Sequence, residues 1–319
     1  MESLKVGKNT TQNESKIWIP HKVIQGEYSE PSQDRRVFTS YIKGLEKNQT
    51  YLFRIEEASW KSPSTKLFSY YMPTENLTII MGGDVGNTKI SYKMNKDVVS
   101  PLQPDLIMIG GDISYDNSIP ECYMAWDYLL KSLPILIKDE KSEFSRIIPI
   151  IFGVGNHDFG VIAGMKIKIT HDKTQPVLKH FFPQNSFEGG IPTLKNRHSY
   201  FAHRFGSDLL ILSLDTGYEK SMDSEQTEWL RKELESQNYK IKIAQYHSPI
   251  YPSCFPNRDL IVQKQGKENW APLFEKYNFT IVSENHSHYF KRSKSIKNKE
   301  VNSNGITYIG EGSWGVLRD

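Results

Sequence analysis

Two histidines one residue apart, His286 and His288, lie in the stretch SENHSHYF beside Asn285, directly after the apolar residues Phe279, Ile281 and Val282. In an extended chain, residues i and i+2 point the same way. The pair can therefore present two imidazoles to one spot, or one imidazole to each of two neighbouring metal ions. Other candidate donors stand in comparable places. GGDVG carries Asp84, GGDISYD carries Asp112 and Tyr115, GVGNHD carries Asn156, His157 and Asp158, and QYHSPIYP carries His247. Each has an ordinary explanation in isolation: Asp and Gly favour strand-to-turn corners, a tyrosine at 115 can pack against a helix carrying Trp126, and a lone histidine is more often structural than a ligand. Together they form about the inventory of a dinuclear metal site. One carboxylate bridges, hard oxygen donors hold the more highly charged ion, and imidazoles with an amide oxygen hold a softer divalent one.

The elements that must position these donors are apolar runs: LTIIMGGD, LIMIGGD, IPIIFGVGNHD, LLILSLDTG, IKIAQYH, FTIVSENHSH and ITYIGEG. They are nearly continuous rather than alternating, the pattern of strands buried on both faces. Helix-like segments lie between them. Asp223 to Gln237 is expected to start on a capping box of Asp223 with Gln226 and to bury Trp229, Leu230 and Leu234; Tyr123 to Leu136 is the other clear case. The alternation argues an α/β domain. Six strands run straight into a polar residue, Asp84, Asp112, Asn156, Asp215, His247 or His286. Chemistry gathers at the carboxyl ends of such strands, so these residues are expected along one edge. Before residue 75 the pattern differs. YLFRIEE alternates, with Tyr51, Phe53 and Ile55 on one side, and KLFSYYM is a second short β-type run, so residues 1–74 read as a small β domain and 75–319 as the α/β domain.

Composition limits the partners. The 319 residues include 40 basic and 37 acidic side chains, a net charge of +3 that gives no general attraction to nucleic acid or to an acidic membrane. The locally basic stretch Lys291 to Lys299 reads as a solvated surface loop. No window reaches the roughly eighteen consecutive apolar residues of a membrane span, and the first residues have no apolar core of a signal peptide. Sequons at Asn9, Asn13, Asn48, Asn76, Asn278 and Asn285 suit passage through a secretory pathway. Cys122 and Cys254 are compatible with one bridge or two free thiols.

The ordered blocks GGDVG, GDISY, GNHD, QYH and NHSH resemble the metallophosphoesterases, and specifically the purple acid phosphatases, whose blocks read DxG, GDxxY, GNH(D/E), xxxH and GHxH. The likeness continues through CYMAWDYLL, SLDTG, QTEWL, HSPIYPS and WAPLFEKYNFTIVSENHSHYFKRS, covering about Leu77 to Trp314, while GLEKNQTYLFRI is similar to part of a fibronectin type III-like module. The resemblance implies a four-layer α/β/β/α sandwich after a small, incomplete all-β module. It implies that Asp84, Tyr115 and His288 hold Fe(III), that Asn156, His247 and His286 hold a divalent zinc, manganese or iron, and that Asp112 bridges. The histidine pair would then be split between the ions. His157 would bind phosphate or protonate the leaving alcohol with Asp158 orienting its ring, and Arg258 is a candidate to grip a phosphate oxygen. One position departs from the pattern: Asn285, after Glu284, stands where glycine is usual.

The implied activity is acid phosphatase: in-line attack of a metal-bound hydroxide on a phosphomonoester, with no covalent intermediate. Two alternatives remain, phosphodiester cleavage by a manganese or zinc pair and a non-catalytic or incomplete family member. Tyr115 discriminates against the first, and the complete donor set argues against the second. The chain is expected to be truncated at both ends, from a glycosylated product that is secreted, vacuolar or lysosomal.

Overall fold

The strand-forming runs bury one side chain set on each face, and that parity explains the layers. The computed structural model describes residues 2–8, 22–25, 27–32, 35–39, 42, 45–46, 49–57, 67–71, 76–133, 136–138, 145–162, 165–166, 176–183, 192–310 and 312–316. All seven apolar runs form strands. Ile79–Gly82 (β1), Leu106–Ile109 (β2) and Ile150–Phe152 (β3) make a parallel sheet ordered β3-β2-β1. Phe201–Phe205 (β4), Leu209–Ser213 (β5), Ile241–Gln245 (β6), Ile281–Glu284 (β7), Lys291–Arg292 (β8) and Thr307–Gly310 (β9) make a second sheet ordered β4-β5-β6-β7-β9-β8. Its four central strands are parallel and its outer two are paired antiparallel.

Helix α1 (Lys89–Met94) follows β1, and alternate strand residues then sort into three apolar seams. Leu106 and Met108 meet Leu209, Ile211 and Ile243 between the sheets. Ile107 and Ile109 face the other way, onto Trp126 and Leu129 of helix α2 (Met124–Ser132). Leu210, Leu212, Ala244 and Val282 pack on Leu230 and Leu234 of helix α3 (Glu225–Ser236) and on Phe274 of helix α4 (Ala271–Lys276). Three seams separate four layers, helix, sheet, sheet and helix, as expected.

Both helices are shorter than the sequence suggests. α2 stops because Leu133, which precedes Pro134, is extended at ψ 141°, and a residue before proline is driven out of the helical region. α3 is capped by Ser224, whose hydroxyl accepts from the Gln226 N–H at 3.4 Å, rather than by Asp223. The Gln226 side chain is committed elsewhere: it is buried and bonds both the N–H and the C=O of Asp215 at 2.8 and 2.9 Å.

In the N-terminal region, YLFRIEE forms the strand Tyr51–Glu57 and KLFSYYM contributes Leu67–Tyr70. They lie in a six-stranded sheet with Glu2–Lys8, Lys22–Gln25, Leu136–Lys138 and Ser145–Ile147. The sheet therefore takes strands from both sides of residue 75, and Ile147 packs with Tyr51 and Phe53. The basic stretch is not wholly solvated: Lys291 is buried in an ion pair with Glu284, and Ile296–Lys297 pairs with Glu300–Val301. Cys122 and Cys254 are both free thiols. Among the sequons, Asn76 and Asn278 are exposed and Asn285 is buried, whereas Asn9, Asn13 and Asn48 lie outside the described residues. No helix among the described residues is long and apolar enough to cross a membrane.

Ile107 and Leu212 are fully buried in the two outer seams. Ile107→Ala and Leu212→Ala are each expected to lose about 2–5 kcal/mol in denaturant unfolding. With no shared partners, the double variant should lose the sum within about 0.5 kcal/mol. Strong coupling between them would contradict the layer assignment.

Candidate metal centre

The strand ends carry unusual backbone. Asp84, Asp112, Tyr115, His286 and His288 all have positive φ, between 49° and 80°. Non-glycine residues in this region carry strain that clusters at functional sites. Here the strain is held by hydrogen bonds that extend the β1–β2 ladder past the strands: the N–H groups of Asp84, Val85 and Gly86 donate to the carbonyls of Gly111, Asp112 and Ile113 at 2.9–3.1 Å. The turned loops aim their side chains at one place, between the two sheets' carboxyl edges.

Seven of the ten residues singled out in the sequence converge there in two groups. In the first, His288 Nε2 lies 3.0 Å from Asp84 Oδ1 and 3.2 Å from the Tyr115 hydroxyl, which is itself 3.3 Å from Asp84 Oδ1. In the second, His247 Nε2 lies 3.1 Å from Asn156 Oδ1, 3.0 Å from His286 Nδ1 and 3.2 Å from Asp112 Oδ2. Asp112 is common to both clusters of potential metal-binding groups, Asp84 with His288 and His247 with His286. His286 and His288 are thus directed to different groups, the second of the two arrangements the spacing allows.

Donor orientation is fixed from behind. His247 Nδ1 donates to the Gly110 carbonyl at 3.1 Å, leaving Nε2 to face the group. The Asn156 amide donates to the Val161 carbonyl at 2.8 Å, which turns its oxygen inward. His286 Nε2 lies 3.2 Å from Asp259 Oδ2, so Nδ1 points in. Three acceptor atoms around one His247 nitrogen are more than one proton can serve, and Asp112 Oδ2 is buried without a hydrogen-bond partner among the described residues despite its 3.2 Å approach. Such a surplus of converging lone pairs fits a cation. Hard oxygen donors dominate one group and nitrogens the other, which fits two ions of different character.

Electrostatics agree. Burial opposes the charge on His247, but the carboxylates of Asp112 and Asp84 outweigh it and raise the imidazolium to about 9. Burial likewise pushes Asp112 up, but His247 and His157 outweigh it and hold the carboxyl down at about 2. Tyr115 is pushed well above its usual range by burial and by Asp84 and Asp112. Its ring lies 4.2 Å from that of His157, whereas the Trp126 ring stacks on Phe181 and its N–H bonds Asp116.

The remaining candidates fall differently. His157 reaches the edge of the site, with Nε2 at 3.9 Å from Asp112 Oδ2. Its ring is oriented by Asn117, whose Oδ1 lies 2.5 Å from Nδ1, and not by Asp158. The turn His157–Phe159 sends consecutive side chains in different directions, and both Asp158 oxygens are taken by the N–H groups of Asp112, Gly155 and Ile113 at 2.8, 2.8 and 3.1 Å. Asp158 therefore clamps the backbone beneath Asp112. Arg258 sets its Nε 3.6 Å from Asp259 Oδ2, one residue removed from His286. Asp215, at the end of β5, is a turn former that accepts from Gly217, Tyr218, Glu219 and Lys220 at 2.7–3.0 Å and so places the Tyr218 ring 5.9 Å from that of His247. Asn117, Asp259 and Tyr218 were not singled out in the sequence. Asp259 follows Arg258 and Asn117 lies two residues after Tyr115, and nothing in their spacing distinguishes them.

A family model described as calcineurin-like phosphoesterase matches residues 77–290. Purple acid phosphatase 15 of Arabidopsis thaliana is 26% identical over 303 residues, covering 86% of this chain and 52% of that protein. Probable inactive purple acid phosphatase 9 of the same plant is 28% identical over 249 residues, covering 70% of this chain and 35% of that one. The chain thus spans about half, or less, of the length of these curated relatives. Among solved structures, the purple acid phosphatase PPD1 from yellow lupin (Lupinus luteus) seeds superposes with a TM-score of 0.68 at 17% identity, over 98% of this chain and 60% of that one. At that identity the likeness is one of fold.

Two measurements follow from the site. Asp158→Ala orphans three buried N–H groups and should cost at least about 3 kcal/mol of stability, whereas Asn117→Ala should cost under about 1 kcal/mol, because only one ring contact is lost. Equal losses in denaturant unfolding would refute the division of roles. The second concerns protons. The raised His247 contributes stability to the metal-free fold that is fully present below its ordinary value of about 6.5 and is lost as pH rises through about 9. A cation must displace that proton, so zinc affinity should rise by up to about tenfold per pH unit over the same interval, with proton release detectable by calorimetry in buffers of different ionisation enthalpy. Affinity independent of pH between about 6 and 8 would contradict it.

Proposed function

The chain belongs to the calcineurin-like phosphoesterase family, and on that premise we propose that it hydrolyses phosphomonoesters as an acid phosphatase of the purple type, at a dinuclear centre. The observation that carries the reading is the pair of donor groups sharing Asp112. Asp84, Tyr115 and His288 would hold Fe(III), Asn156, His247 and His286 a divalent zinc, manganese or iron, and Asp112 both. The phenol of Tyr115 supports iron. Burial and two carboxylates disfavour its ionised form in the metal-free protein, so ligation requires a cation of high charge. When bound, two such cations neutralise the ester and supply an activated water as nucleophile.

The chain's own residues then orient and protonate. Asn117 takes the Nδ1 side of His157, which leaves Nε2 for the substrate. In its neutral form this ring can only accept at Nε2; as imidazolium it can give the Nε2 proton to the leaving alcohol. Burial lowers His157 below its usual value, so the donating form prevails in acid. Arg258 is proposed to meet a phosphate oxygen on leaving its contact with Asp259. Residues 1–74 are proposed as a fibronectin type III-like module on the strength of GLEKNQTYLFRI, and a secreted or vacuolar product on the strength of the sequons.

With iron and zinc supplied, the protein is expected to bind two ions, to release orthophosphate from an aryl phosphate, and to absorb broadly in the visible through phenolate-to-iron charge transfer. Tyr115→Phe should remove the colour and spare the ligands of the second ion. Asp112→Asn should lower kcat at least about 100-fold and release an ion while the fold survives. A colourless, iron-free yet fully active protein would favour a manganese or zinc phosphodiesterase. Full metal occupancy without turnover would favour a non-catalytic member.

A further inference from the structure

Asn285 occupies the position between Glu284 and His286, and it is fully buried. Its N–H donates to the His247 carbonyl at 2.8 Å and its side-chain Nδ2 to the Tyr246 carbonyl at 2.9 Å. Its Oδ1 has no hydrogen-bond partner among the described residues. An unpaired buried amide oxygen is costly, so a residue that keeps one has another reason to be there. The reason is spatial. A Cβ added to Gly83 would lie 2.6 Å from Asn285 Oδ1, and one added to Gly110 would lie 2.0 Å from Asn285 Nδ2; at both glycines the three nearest atoms all belong to Asn285. Gly83 precedes Asp84, Gly110 begins the turn to Asp112, and the Gly110 carbonyl also orients His247.

Resting on the dinuclear reading above, we propose that Asn285 is a positioning residue. It fills the space between the Asp84 and Asp112 loops, ties that space to the end of β6 beside His247, and so sets the separation of the two donor groups. Glycine is obligatory at positions 83 and 110 because Asn285 is present, not because the backbone demands it. Neither glycine has a positive φ.

A double-mutant cycle tests this on the full chain, with Co(II) as the probe. Stoichiometry and affinity are read by equilibrium dialysis, and the magnetic coupling between two bound ions by electron paramagnetic resonance. Gly110→Ala alone should weaken binding by about 10–100-fold, the scale of damage to groups that orient metal ligands. Asn285→Gly should bind two ions with altered coupling. Combining them should restore binding to within about threefold of Asn285→Gly, a strongly non-additive outcome. If Gly110→Ala does not fold, Gly83→Ala, with the milder 2.6 Å approach, takes its place in the cycle. Additive losses would overturn the proposal. So would a cycle that is non-additive in thermal unfolding but leaves Co(II) binding and coupling unchanged, since Asn285 would then serve packing alone. Wild-type protein binding fewer than two ions would instead defeat the dinuclear reading, and that outcome is read from the unmutated chain.

Discussion

The fold is organised around a buried carboxylate that its own surroundings leave incompletely satisfied. Asp112 is almost wholly inaccessible, its Oδ1 accepts from the His157 N–H at 2.8 Å, and its Oδ2 faces three imidazole-bearing loops with no hydrogen bond of its own among the described residues. Burying a charge this way is tolerable only beside compensating positive charge. In the metal-free protein that charge is the His247 proton; the lone pairs converging from Asn156 and His286 are disposed for something larger and more highly charged. Most of the polar detail nearby serves to hold Asp112 and its neighbours in that arrangement.

The holding is done by backbone. Asp158 grips the N–H groups on both sides of the turn under Asp112, and the ladder between the Asp84 and Asp112 loops continues where side-chain packing has stopped. Strained positive-φ residues need such overdetermination, since otherwise each would relax to a commoner conformation. A parallel arrangement operates on the second sheet. Glu284 accepts from the Tyr246 hydroxyl and from the Ile250 N–H, both at 2.7 Å, and pairs with Lys291, which fixes the segment after His247 against the segment before His286. The two sheets thus present rigid edges, and the donors are carried by turns too short to wander.

Position 285 departs from the pattern that the sequence resembles, and the departure is informative. Asn285 in the place of glycine adds volume where two glycine-bearing loops approach, and the loops accommodate it by having no side chains there. Asn117, a neutral amide, orients His157 by accepting from it, which leaves the ring less basic than a carboxylate partner would.

The amino-acid sequence by itself determined the strands and the donor types. Continuous apolar runs ending in Asp, Asn or His could be read directly, because burial on both faces and a polar terminus leave a one-dimensional record, and all seven runs became strands. It also carried the inventory of two groups sharing a carboxylate. What only the tertiary structure decided was which groups meet. Asp158 stands beside His157 in the chain yet serves Asp112, His157 is held by Asn117 forty residues earlier, and Gln226, expected to cap its own helix, reaches Asp215 instead. The pairing of Leu67–Tyr70 with Ser145–Ile147, which brings segments from either side of position 75 into one sheet, is of the same kind. Hydrogen-bond partners across loops depend on turn geometry and on which segments the sheets bring alongside, and neither leaves a periodic signal in the sequence.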